Sequence, residues 1–281
     1  MSFEKKPLPA PKLAEASFCK DGHTVALLTD EALYDACGLR VAFTTRAGGV
    51  SKAPYASLNL GDHVGDDACA VTRNRELLMG ALSVPAGCMS HLVAPKQVHG
   101  DVVVEVDGDV SFAQERARAG ADGILCAQAG VPVLLCFADC VPVIVAAPGG
   151  AFAVLHAGWR GALAGIAGKG ASMLAKAAGC STASCSAYIG PHIGACCYET
   201  SQEILDRFIA RYGSACDAGA RHLDLTAAVS ASLEEAGVDK SRICDSMSCT
   251  SCNSDRFFSY RAHDKVTGRH GAFAFKEAGL P

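Results

Sequence analysis

The chain has no long hydrophobic run, no excess of basic charge, a single tryptophan, and no two histidines one residue apart. Each absence removes a class of function. No stretch approaches the roughly 20 consecutive apolar residues that a membrane-spanning helix needs. The first twelve residues carry charges and three prolines where an export signal would carry an apolar core. With 25 Lys and Arg against 29 Asp and Glu, the formal net charge is −4, so no electrostatic footprint points to nucleic acid or an anionic membrane. Only 19% of residues are charged and 50% are hydrophobic, which excludes a disordered chain. A chain of 281 residues is long enough to bury a large core as a monomer.

What the chain does have is cysteine. Fifteen is a high count, odd in number and irregular in spacing, and Cys126, Cys136 and Cys180 lie within apolar stretches. Without an export signal these read as reduced, buried thiols of a cytoplasmic protein, with one or two exceptions carrying chemistry.

Residues 1–17 read as a loosely held lead-in, and 18–281 as a single domain with no break in composition. Val41 to Thr45 reads as a strand that runs into the glycine-rich turn Arg46-Ala47-Gly48-Gly49-Val50-Ser51. Val71, Arg75, Leu78 and Leu82 follow a helical period, and Val102 to Val106 is β-branched and strand-like. Pro132 to Phe137, Pro142 to Ala147 and Ala151 to His156 are near-continuous apolar runs, as expected of strands buried on both faces. Gly161 to Lys176 reads as one helix, Ala187 to Gly190 as a strand, Glu199 to Tyr212 and Asp224 to Ala236 as helices, and Phe257 to Tyr260 as a late strand. The expected class is α/β (α+β), a layered domain of mixed sheets flanked by helices.

The most informative segment is His156-Ala157-Gly158-Trp159-Arg160-Gly161, which holds the only tryptophan. Its histidine can bind a metal or move a proton, its glycines admit close backbone approach, and its arginine can hold an anion. Upstream stand His99 in Gln97-Val98-His99-Gly100 and Cys140 in Ala138-Asp139-Cys140-Val141-Pro142. Imidazole and thiolate suit zinc, and three protein ligands would leave a fourth position open. The gaps of 41 and 16 residues match no compact zinc ribbon, so the spacing alone leaves buried structural side chains as the alternative.

Asp139 reads either as a carboxylate that orients a ligand or relays a proton, or as a turn cap. Asp122, in Gly120-Ala121-Asp122-Gly123, leans towards a turn. Arg46 and Arg160 sit in glycine-flanked turns where a guanidinium and backbone N–H groups can cradle an oxyanion. Cys249-Thr250-Ser251-Cys252 reads as a zinc knuckle, a redox pair, or two thiols at the edge of the core.

These segments, with Ser57-Leu58-Asn59-Leu60, Ile189-Gly190-Pro191, Cys197-Tyr198-Glu199 and Phe257-Phe258-Ser259-Tyr260-Arg261, resemble the multicopper polyphenol oxidase-like, or laccase-domain, family. That family is also described as purine nucleoside phosphorylases and linked to peptidoglycan editing. The resemblance spans roughly residues 41 to 275. It implies an α/β/β/α fold related to cysteine hydrolases, and a zinc site of His99, Cys140 and His156. It also implies phosphorolysis of adenosine, inosine and S-methyl-5'-thioadenosine, with adenosine deamination alongside. The partners are then a nucleoside and phosphate, with Arg46 and Arg160 expected to hold phosphate and Asp139 to serve as second-layer or proton-shuttling carboxylate. Phe43, Tyr198 and Phe258 are expected around the base. Copper oxidation of phenols fits poorly, because nine scattered histidines cannot build several copper centres; copper is expected only as an adventitious occupant.

Two other functions draw on the same residues. Cys140 could be a thiolate nucleophile with His156 or His99 as its base, in an amidase or hydrolase acting on a cell-wall precursor. A zinc-clipped binding module without turnover would need no reaction at all.

Overall fold

The structure, a computed structural model, describes residues 6–279. Asp21 and Gly22, with φ of 50° and 80°, fold β1 (Ala14–Lys20) onto β2 (His23–Thr29) as an antiparallel hairpin. A two-residue Asp-Gly turn with both φ positive matches the twist of paired strands. The expected lead-in therefore ends before residue 17, since Ala14 to Ser17 already pair with β2; its residues 1–5 lie outside the described residues.

Asp30 caps α1 (Glu31–Cys37), Gly38 ends it in the left-handed region, and β3 (Leu39–Thr44) follows, buried throughout. Next come α2 (Ala68–Ala81), β4 (Val103–Val106), α3 (Val110–Ala119), β5 (Gly123–Cys126), β6 (Val133–Phe137), β7 (Val141–Ala146) and β8 (Phe152–Ala157). The chain continues through α4 (Trp159–Leu163), α5 (Ile166–Ala178), β9 (Ser186–Ile189), α6 (Gln202–Tyr212), α7 (Leu225–Glu235), β10 (Ile243–Asp245) and β11 (His270–Lys276).

Two sheets stack between helices. One is antiparallel, in the order β1-β2-β3-β11-β6; the other is mixed, in the order β10-β9-β7-β8-β5-β4, with its two outermost pairs parallel. Period-two alternation divides each strand between layers. In β7, Val143 and Val145 face α5 and α7, while Ile144 and Ala146 face the other sheet with Phe43, Leu135 and Phe137. In β11, Ala272 and Ala274 face inwards while Phe273 and Phe275 pack in one cluster with Leu78 of α2 and Leu82 just after it. Strands β3, β6, β7, β8 and β11 are thus covered on both faces, which is why they read as continuous apolar runs. The layering is the α/β/β/α arrangement expected. Among the described residues, no helix is long and apolar enough to cross a membrane.

Two expectations are corrected. The helix from Gly161 is broken: Gly165, at φ 76°, separates α4 from α5. Phe257 to Tyr260 is not a strand. Arg256 and Phe257 turn back on the Asn253 carbonyl, and Phe257 and Phe258 become fully buried plugs in a looped segment. The place between β3 and β6 belongs to β11, whose Ala-Phe-Ala-Phe alternation fits both covered faces.

A candidate metal centre and its cavity

His156 is the fifth residue of β8, on the same face as Phe152 and Val154, so it points between the sheets, where its ring lies 5.4 Å from that of Phe137. Cys140 immediately precedes β7, the neighbour of β8. His99 sits in the loop before β4 with φ 60°, a strained conformation for a residue with a side chain. The potential ligand atoms of the three lie within 4.8 Å of one another, and the two imidazoles meet edge to face at 4.8 Å. The expected trio is brought together.

A buried carboxylate holds it. Asp122, at the foot of β5 and 0% exposed, accepts the backbone N–H groups of His99 at 2.9 Å and Gly100 at 2.7 Å. Its Oδ1 also takes His156 Nδ1 at 2.7 Å. One carboxylate thus fixes the loop that carries one candidate ligand and the ring that is another. Burial works against its ionisation, but His156 and the backbone donors prevail and hold Asp122 below the usual carboxylate range. With Nδ1 directed at Asp122, Nε2 of His156 is free to bind a metal.

Glycines let the pieces close. A Cβ on Gly158 would stand 2.9 Å from the His99 ring and 3.4 Å from Cys140 Sγ, and one on Gly161 would stand 2.7 Å from the Gly100 carbonyl oxygen. Burial pushes the Cys140 thiol up, but the charge of His156 and hydrogen bonds from both histidines outweigh it and bring the group down to about 6. Burial lowers His156 while Cys140 and Asp122 raise it, and the balance is about 9. Without metal, the two form a thiolate–imidazolium pair. The donor set fits zinc: one thiolate and two imidazoles at bonding distance would stand about 3.4–3.6 Å apart, so small movements suffice.

The centre opens into a cavity of about 550 Å³ walled by His63, Gln97, Trp159, Tyr198, Tyr260, Arg261 and Arg269. Arg160 borders an adjoining recess of about 290 Å³, its guanidinium 4.5 Å from the Trp159 ring centre. Arg46 does not line either. Its guanidinium donates to the Ala56 and Ser254 carbonyls at 2.9 and 2.7 Å and lies over Phe258, so it ties loops together. The arginines that line the larger cavity are Arg261 and Arg269. Asp139 borders the cavity, but its carboxylate accepts Thr250 Oγ1 and the Arg261 N–H, each at 2.7 Å, rather than a histidine. Tyr198 is in the wall; Phe43 and Phe258 are fully buried away from it.

Residues 40–277 match the family described as multi-copper polyphenol oxidoreductase laccase. The chain belongs to that family. Among its relatives, it is 38% identical over 250 residues to the purine nucleoside phosphorylase YlmD of Geobacillus stearothermophilus, covering 84% of this chain and 89% of that one. It is 35% identical over 243 residues to the purine nucleoside phosphorylase YfiH of Escherichia coli, covering 84% and 93%. The crystal structure of the Geobacillus YlmD superposes with a TM-score of 0.79 over 92% of this chain and 98% of that one, at 34% identity. A Bacillus licheniformis protein, YfiH, gives 0.80 over 92% and 99%, at 30% identity. The family description names several coppers, yet among the described residues His99, Cys140 and His156 are the one histidine-containing group placed to share an ion.

Proposed function

We propose that the protein is a zinc-dependent purine nucleoside phosphorylase acting on adenosine, inosine and S-methyl-5'-thioadenosine, with adenosine deamination as a side activity. The observation that carries this reading is the convergence of His99, Cys140 and His156 at the floor of a cavity rimmed by arginines and aromatic rings. The names of relatives more than a third identical supply the substrate class.

Bound to the three side chains, zinc would supply a Lewis acid with one open position. The protein's own groups do the rest. Arg160, Arg261 and Arg269 provide the cationic rim that holds phosphate against the ribose, where one of its oxygens forms the new bond to C1′ as the bond to the purine nitrogen breaks. Trp159, Tyr198 and Tyr260 offer apolar faces for the base. Asp122 keeps the His156 ring in one orientation. Asp139, with both carboxylate oxygens engaged, positions the Arg261 backbone rather than shuttling a proton. Fifteen thiols, none in a disulfide, suit the reducing cytoplasm.

The test is adenosine turnover with and without inorganic phosphate, with adenine, ribose 1-phosphate and inosine quantified before and after chelation. Adenine that appears only with phosphate and disappears on chelation is expected. Adenine release indifferent to phosphate, or no turnover of any purine nucleoside, would overturn the reading.

One observation favours a second function. A thiol at about 6 beside a histidine at about 9 is also how a cysteine nucleophile is activated. Covalent trapping of Cys140 by an acyl-substrate analogue of a cell-wall peptide would decide for a hydrolase.

A further inference from the structure

Cys249 and Cys252 do not stand alone. The turn from Gly194 to Tyr198 brings Cys196 and Cys197 against them, and the four sulfurs lie within 4.8 Å of one another. Cys252 Sγ is 3.5 Å from Cys196 Sγ and 3.4 Å from Cys197 Sγ. None of the four is bridged. Four thiolates around a tetrahedral zinc, each at about 2.3 Å, would stand about 3.8 Å apart. The backbone is also arranged for negative sulfur: the N–H groups of Gly194 and Cys252 point at Cys249 Sγ from 3.3 and 3.5 Å. Gly194 eases that approach, since a Cβ there would fall 3.3 Å from both Cys196 Sγ and Cys249 Cβ, a tight contact.

We propose that Cys196, Cys197, Cys249 and Cys252 form a second metal centre, a structural tetrathiolate site for zinc. Thiolate ligands select a soft or borderline ion and disfavour magnesium or calcium. As the ion enters, each thiol gives up its proton to solvent, with no change of oxidation state.

The position explains the need. The two segments involved have little regular structure, and the backbone pairing between them is an isolated bridge at His192 and Cys249. Yet they carry Tyr198 and Arg261 in the cavity wall, and Thr250, beside Cys249, holds the carboxylate next to Cys140. An ion bonded to both loops would fix that wall. Cys196 and Cys252 are exposed, so the ion has a direct path from solvent.

The experiment is a zinc count on protein purified under reductant, on the wild type, Cys140→Ala and the double variant Cys249→Ser/Cys252→Ser. Two, one and one equivalents are expected. Cobalt reconstitution of Cys140→Ala should give the intense thiolate-to-metal charge-transfer absorption of a tetrahedral four-sulfur site. Should the double variant fail to fold, alkylation of the wild type decides: mass spectrometry should find all four cysteines protected until chelator is added. Zinc-free Cys140→Ala, or four cysteines equally reactive before and after chelation, would overturn the second centre. A Cys196–Cys252 or Cys197–Cys252 disulfide in the reduced preparation would overturn it too. None of these outcomes depends on the phosphorylase reading, which the nucleoside assay tests separately.

Discussion

The two groups of sulfur and nitrogen donors are built in opposite ways. His156 stands on β8, Cys140 immediately precedes the neighbouring β7, and the His99 loop is clamped by the buried Asp122, so the first group is held by strands and a buried carboxylate. The four cysteines stand in two turn segments outside every strand and helix. On the proposed reading, an ion would hold those two segments together. A preorganised centre can spend an open coordination position on chemistry, whereas a loop-borne centre needs every ligand to hold the fold.

Breaking the clamp should show the largest effect. Asp122→Asn removes the charge that orients His156 and should weaken zinc binding about 10–100-fold, with turnover at fixed zinc falling in step; isothermal titration of metal-stripped protein reads it. An unchanged affinity would mean that β8 alone orients the ring.

Stripping the metal should expose the charged pair. Because Cys140 sits at about 6, its thiolate predominates at neutral pH and is lost as pH falls through about 6. Iodoacetamide labelling of Cys140 in metal-free protein should therefore be on the order of tenfold faster at pH 7 than that of an ordinary thiol, with a midpoint near 6. A midpoint near that of a free thiol would deny the pairing with His156.

The two glycine-flanked arginines should separate cleanly. Arg160→Ala should raise the KM for phosphate about tenfold without affecting melting, since it loses one charge-assisted contact. Arg46→Ala should lower the melting temperature by a few degrees and leave the phosphate KM alone, because its partners are the carbonyls of Ala56 and Ser254. The smallest effect should be Cys252→Ser, a KM for nucleoside raised only a few-fold as the Tyr198 loop loosens, with kcat retained.

Much of this was legible before the fold was known, and the parts that were not share a cause. Strands β6, β7 and β8 and the candidate trio His99, Cys140 and His156 stand out because apolar runs and side chains able to bind metal are local properties. Asp122 looks like any Gly-Ala-Asp-Gly turn; its burial, and the four donors its carboxylate accepts from, exist only after β5 meets β8. Arg46 and Arg160 have similar neighbours in sequence and opposite surroundings in space. Phe257-Phe258 carries strand propensity, yet the seven-residue run from His270 takes the slot because its alternating small and large side chains satisfy two covered faces. Cys249 and Cys252 show half a metal site; Cys196 and Cys197, more than fifty residues away, supply the other half.

The most direct test is to titrate zinc into stripped wild type, Cys140→Ala and Cys249→Ser/Cys252→Ser while following phosphate-dependent adenine release. Activity should return in the wild type and the double-serine variant as the first centre fills, and should not return in Cys140→Ala at any zinc concentration. Full activity of metal-free Cys140→Ala would contradict the account at its centre.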